Sequence, residues 1–252
     1  LSSGYPVQLS SDKARVVVID KDSTDTLWIT YTQGNKVYMA HSDGADDSWV
    51  TPYLLPVAGS TGLLSVDISA VVAYNGHVGV MWSNQGDMQM HFAVHQDGAS
   101  DTAWTEVIAY ALSADDHVSL RSLNADSAGN VFAAVKGSFV NPDEPQIIVL
   151  ACTTGNCSQA SNWRSAVAFS RNAQPYKTRP TVLLDTTNRE IYVFVTDTGG
   201  GNALYKKASY DTLAFPAGSG TVFIDYSSAV NNVTSTKQTV NVSTGIVVMA
   251  SS

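Results

Sequence analysis

A segment from the first fifth of this chain returns one unit later, and no other feature restricts the fold as strongly. His41-Ser-Asp43-Gly44-Ala45 runs on to Asp47 and Trp49, and His95-Gln-Asp97-Gly98-Ala99 runs on to Asp101 and Trp104. The two histidines stand 54 residues apart. Weaker copies follow, Cys152-Thr-Thr-Gly155 leading to Trp163 and Ala208-Ser-Tyr210-Asp211 leading to Phe215. A period of about fifty residues belongs to arrays whose units bury their apolar faces against one another.

Each copy is preceded by two runs of β-branched and aromatic residues joined by a turn. The pairs are Arg15 to Asp20 with Thr26 to Gln33, Asp67 to Tyr74 with His77 to Asn84, His117 to Leu123 with Asn130 to Lys136, and Arg179 to Leu184 with Glu190 to Thr196. Lys237 to Asn241 with Gly245 to Ala250 makes a fifth. The joining turns carry Asn-Gly, Asp and Ser residues, which bond their own backbone or accept positive φ. With a third strand ending near each His-x-Asp-Gly copy and a fourth starting at the Trp, each unit is a blade of four antiparallel strands. The expectation is an all-β fold, a β-propeller of five blades forming a single domain over residues 1–252, with Tyr5 to Leu9 adding a strand to the last blade. The alternative is a fragment of a six- or seven-bladed propeller. Composition agrees: charged residues are 14% of the chain, against roughly 25% in an average soluble protein, and Ser, Thr, Gly and Asn fill the gaps between apolar runs.

The Asp-Gly-x-x-Asp turns leading to Trp resemble the Asp-box of sialidase-like (BNR) propellers, and the whole chain resembles a group of secreted bacterial propellers of that kind. Gly44 follows Asp43 directly, which departs from the usual Asp-box spacing. The resemblance implies the propeller fold. Sialidase activity would bring three arginines and a Tyr nucleophile with a Glu partner, and Tyr176-Lys-Thr-Arg179-Pro180 matches only the Arg-x-Pro element of that set.

A motif repeated once per blade serves the blade: its Asp holds a turn and its Trp fills the space between neighbours. Function is expected where the repeats differ, at the starts of the inner strands around the channel mouth. There the sequence has Asp67-x-Ser69, His117-x-Ser119, Arg179-x-Thr181 and Lys237-x-Thr239, each charged residue sharing a strand face with a small hydroxyl two positions on. Asp67, Asp116, His117, Arg179 and Lys237 are expected to converge, with Lys136 and Trp82 as walls and Arg15 as a further candidate. Asp67, Asp116 and His117 are the candidates for acid–base catalysis, since Glu106, Glu144 and Glu190 fall in an outer strand, a loop and a turn. No metal site and no cofactor are expected; Asp20, Asp22 and Asp25 lack the Gly and distal Glu of a calcium loop.

Lys and Arg number 14 against 22 Asp and Glu, a net charge of -8, the wrong balance for neutralising nucleic-acid phosphates. A cationic mouth on an anionic shell selects a small anionic group, and Trp82 offers a ring face for a sugar. The main expectation is a propeller that binds an acidic carbohydrate. The alternatives are a glycoside hydrolase or polysaccharide lyase acting on one, or a structural domain of a larger surface assembly. No apolar run approaches the roughly 20 residues that span a bilayer, so membrane insertion is not expected. Leu1 stands where a removed export signal would leave it, and Cys152 and Cys157 are read as a disulfide across a turn. A secreted or cell-surface location follows.

Overall fold

Three aspartates show how the inner hairpins turn. Asp22 Oδ1 accepts hydrogen bonds from the Thr24 and Thr26 backbone N–H groups at 2.8 and 3.0 Å, while its Oδ2 accepts from Trp28 Nε1. Asp126 accepts from Ala128 and Asn130, and Asp185 from Thr187 and Asn188, in the same manner. These are Asx turns that saturate the backbone donors of a tight loop. The turn-holding aspartates thus belong to the inner hairpins rather than to the His-x-Asp-Gly copies.

The computed structural model describes residues 4–118, 123–138, 144–172, 176–197, 201–225, 230, 232–235, 243, 245 and 248–251. Blade 1 consists of β1 (Arg15–Lys21), β2 (Leu27–Gln33), β3 (Lys36–His41) and β4 (Tyr53–Leu54). Blade 2 follows with β5 (Ser69–Tyr74), β6 (His77–Asn84), β7 (Gln89–Gln96) and β8 (Trp104–Tyr110). Blade 3 contains β9 (Leu123–Ala125), β10 (Val131–Lys136), β11 (Pro145–Cys152) and β12 (Trp163–Ser170). Blade 4 contains β13 (Lys177–Asp185), β14 (Glu190–Asp197), β15 (Ala203–Ser209) and β16 (Thr221–Ile224). A two-stranded ribbon, β17 (Asn232–Ser235) with β18 (Val248–Ser251), comes last. Every pairing is antiparallel, and the inner strands β1, β5, β9, β13 and β17 follow one another around one axis.

The chain is therefore an all-β propeller with four blades of four strands among its described residues, not five; a fragment of a larger propeller remains compatible with this arrangement. The fifth unit was misread for a physical reason. From Val233 to Thr244 the sequence scatters Val and Lys among Ser, Thr, Gln and Asn with no strict alternation, so its pattern fits several registers. The register adopted buries Val233 of β17 with Leu183 and Phe194 of blade 4, and Ser235 is buried as well. Lys237 to Asn241 lie outside the described residues. Val7 to Leu9 form no strand with the last unit; Leu9 packs on Ile29, Tyr31 and Ala40 of blade 1, and Gln33 Nε2 donates to Ser10 Oγ.

Successive blades are joined by apolar packing, one cluster running through blades 1 to 3 and a second through blades 3 and 4. The repeated motif serves the first of these seams. Trp28 packs against His41, His95 and Trp104 at ring separations of 4.7, 5.1 and 6.1 Å, His41 Nε2 lies 3.0 Å from Asp101 Oδ1, and Ser23 donates to Asp97. Trp104 fills the interblade space as expected, whereas Trp49 packs on the opposite side of blade 1 with Ile29 and Tyr31. Cys152 and Cys157 form a disulfide, and Trp163 Nε1 donates to the Cys157 carbonyl.

Candidate functional site at the channel mouth

Blades 1 and 4 begin their inner strands with the same irregularity. Along β1 the register advances three residues from Arg15 to Val18 while β2 moves two, from Thr32 to Thr30. Along β13 it advances three residues from Thr178 to Thr181 while β14 moves two, from Thr196 to Phe194. These are β-bulges, each placing a residue in the left-handed region, Val16 at φ 36° and Arg179 at φ 52°. For a β-branched residue this conformation is costly. A bulge re-aims the strand end, and both bulges open onto one cavity.

That cavity, about 340 Å³, is assembled from the mouth-side ends of all five units. Arg15 and Val16 come from blade 1, Val66 and Ile68 from the lead into β5, and Asp116 and His117 from the lead into β9. Arg179, Pro180 and Thr181 come from β13, and Asn232, Val233 and Thr234 from β17. The mouth thus brings together three residues picked from the sequence, Asp116, His117 and Arg179, with the further candidate Arg15.

His117 is the centre of a charged network. Its Nδ1 lies 2.6 Å from Asp115 Oδ1 and 2.5 Å from Asp116 Oδ1, and its Nε2 lies 3.1 Å from Thr178 Oγ1. Lys136 Nζ reaches Asp115 Oδ2 from behind at 3.2 Å, so Lys136 supports the network without lining the cavity. Burial, the largest single influence on His117, opposes its charge; the hydrogen bonds to Asp115 and Asp116 outweigh it and leave its pKa raised. Asp116 is lowered, chiefly through its hydrogen bond from His117. Ligand atoms of Asp115, Asp116 and His117 lie within 4.8 Å of one another. They face each other and Lys136, an arrangement of ion pairs rather than of donors aimed at a shared cation.

The other sequence candidates sit elsewhere. Asp67 is 1% exposed, and its carboxylate accepts from Leu64 N at 2.7 Å, Gln85 Nε2 at 2.8 Å and Ser83 Oγ at 3.1 Å. It is placed as a loop anchor rather than at the cavity wall, because the amides of two flanking loops enclose it. Trp82 is fully buried inside blade 2, donating to the Gly59 carbonyl and stacking on His91, so it presents no face to the mouth. Lys237 lies outside the described residues. Ser69, read as a channel hydroxyl, bonds Thr30 Oγ1 of blade 1 instead, whereas Thr181 does line the cavity and donates to the Val233 carbonyl. Asp115 and Thr178 were missed. The Asp115-Asp116 doublet was a signal available for the first; for Thr178 the bulge that brings it to His117 has no signature in the sequence.

No family model matches the sequence, and no curated protein matches it. Among solved structures the chain is similar to an α-L-arabinofuranosidase from Fusarium graminearum in complex with an iminosugar inhibitor, at 12% identity and a TM-score of 0.52, covering 81% of this chain and 64% of that one. It is similar also to an endo-arabinase from Bacteroides thetaiotaomicron, at 12% identity and a TM-score of 0.49 over 90% of this chain and 84% of that one. A GH43 endo-arabinanase from Bacillus licheniformis gives 16% identity and a TM-score of 0.48 over 87% and 80%. Likeness at such identity establishes the β-propeller fold and nothing finer. The sialidase-like kinship implied by the turn motifs gains no family match.

Proposed function

We propose that this protein is a glycan-cleaving enzyme, a glycoside hydrolase acting on an acidic glycan at the channel mouth. The observation that carries the reading is one cavity where Asp116–His117 faces Arg15 and Arg179, drawn from equivalent positions of three different blades. His117, raised by its two aspartates, is the proton donor to the leaving glycosidic oxygen, through Nε2. Asp116 stays ionised beside it and stabilises positive charge developing at the anomeric carbon; water then adds to that carbon in place of the departed oxygen, and its released proton restores His117. Arg179 and Arg15 hold the acidic substituent, Arg179 bidentately, as its planar fork favours. The carbohydrate-active propellers of similar fold are in keeping with a glycan partner, and the disulfide is in keeping with an extracellular location.

The test is incubation with polygalacturonate, alginate, sialylated and sulfated oligosaccharides and a neutral arabinan, following reducing ends together with the ultraviolet absorbance of unsaturated uronates. Reducing ends without that absorbance support hydrolysis; both together mean β-elimination and a lyase. Binding without turnover is the competing reading, favoured by Asp115 and Asp116 facing the same histidine rather than opposite sides of a sugar. It would appear as calorimetric binding of an acidic glycan with no new ends. If no acidic glycan binds or is cleaved, the reading is wrong.

A further inference from the structure

The cavity at the mouth has a neighbour on the same face. A second hollow of about 310 Å³ lies over the boundary between blades 1 and 2, and Arg15 lines both. Its other walls are the mouth-side ends of the same elements: Lys13, Gln33 at the end of β2, Asn35 in the β2–β3 turn, and Leu64 and Ser65 before β5. No carboxylate lines it. Among the described residues, no ion pair engages Lys13 or Arg15.

These walls are held in place. Gly34 and Asn35 both adopt left-handed φ, 54° and 62°, as a two-residue hairpin turn requires, which displays Asn35 on the face. The Asn35 carbonyl accepts from Leu63 N at 3.2 Å. Asp67 fixes the opposite wall: its Oδ2 accepts from Leu64 N, and its own carbonyl accepts from Thr32 Oγ1 at 2.8 Å. The chemistry of the hollow suits a sugar unit. Lys13 and Arg15 meet an anionic substituent, Gln33 and Asn35 offer amides to hydroxyls, and Leu64, 48% exposed, gives an apolar contact for a ring face.

We infer that this hollow is a second subsite of the channel-mouth site, so that the ligand is a chain of linked acidic sugars bridged across Arg15. The inference rests on the acidic-glycan reading and adds to it a length requirement and a direction, outward from the axis between blades 1 and 2. A chain with an anionic group on each unit places one by Arg179, and the next by Lys13, with Arg15 serving both.

Calorimetry with galacturonic acid and its dimer and tetramer, and in a parallel arm with sulfated oligosaccharides of matched length, tests it. The expected result is a gain of tenfold or more from monomer to dimer. Lys13→Ala combined with Asn35→Ala removes that gain and leaves the monomer unchanged, while the Asn35 side-chain amide signals in NMR move with dimer and not with monomer. The uronate and sulfate arms separate the two sources of negative charge. Affinity independent of length, or a double variant that binds tetramer like the wild type, overturns the subsite and leaves the mouth site standing. Failure of every acidic sugar to bind, whatever its length, overturns both.

Discussion

His117 and His91 each meet two carboxylates, yet one lines a cavity and the other is sealed inside a blade. His91 Nδ1 lies 2.7 Å from Glu106 Oε1 and its Nε2 3.0 Å from Asp87 Oδ2; the ring stacks on Trp82 at 5.1 Å. Glu106 also accepts from Gly59 N, and a side chain at Gly59 would collide with both Glu106 and His91, so only glycine fits there. All the hydrogen-bonding capacity of the His91 ring is spent within blade 2. At His117 both carboxylates converge on one nitrogen, the other nitrogen meets only a hydroxyl, and strained backbone lies alongside. Similar side-chain chemistry thus holds a blade together in one place and lines an open cavity in the other; location and leftover hydrogen-bonding capacity distinguish them.

The sharpest break between the two sites is expected in activity. His117→Gln should lower glycan cleavage by roughly 10²–10⁴-fold, the usual worth of a general acid, with the blades still folded, whereas His91→Gln should leave the catalytic step itself untouched. A pH series of urea denaturations separates the two sites again. Because its folded pKa is raised, His117 contributes stability in full below its ordinary value, and loses it as pH rises through the folded value. Asp116, being lowered, contributes above the ordinary carboxylate value and loses that contribution as pH falls through its folded value. His117→Gln should abolish the alkaline part of this dependence; an unchanged profile would show that the network is not as described.

In stability the order reverses. His91→Gln removes the ring that bonds both Glu106 and Asp87 inside blade 2 and should cost about 1–3 kcal/mol, the range for leaving buried polar groups without their hydrogen-bond partner. Denaturant midpoints decide it: a loss at His91 no larger than at His117 would contradict the sealed network. Next in size is Arg179→Ala, expected to weaken binding of an acidic sugar about tenfold, since a charge-assisted hydrogen bond from Arg contributes roughly 1.5–3 kcal/mol. Calorimetry on the variant checks this, and affinity equal to the wild type would remove Arg179 from the site.

The sequence disclosed position better than environment. Equivalent points in a repeat occupy equivalent points in space, so Asp116, His117 and Arg179 could be sent to one mouth from the hairpin pattern alone. What encloses a side chain depends on loops from other units. Asp67 occupies the equivalent strand start, yet Leu64, Ser83 and Gln85 close around it; Trp82 alternates correctly along β6 but faces Gly59 and His91. Alternation assigns a face, not a depth. The fifth unit was illegible because its Val, Ser and Thr residues satisfy more than one register, and the bulges because one extra residue leaves composition unchanged.

The smallest expected effect bears on those bulges. Val16 holds φ 36°, where its Cβ crowds the backbone, and its counterpart Arg179 holds φ 52°. Strain of this sort, of the order of 1–3 kcal/mol per residue, persists only where surrounding structure imposes it, and here both strained residues line the mouth cavity. Glycine adopts left-handed φ without that penalty but enlarges the freedom of the unfolded chain, so the two effects of Val16→Gly oppose each other. The lost side chain offsets part of that relief, because Val16, though half-buried, packs against the core cluster of blades 1 to 3. The net expectation is a gain of a few tenths to about 1 kcal/mol in stability, together with weaker binding of acidic sugars as Arg15 loses its fixed aim. Denaturation and calorimetry on the one variant read both quantities. A loss of stability with binding unchanged would mean that the bulge is ordinary blade construction and has no share in aiming Arg15.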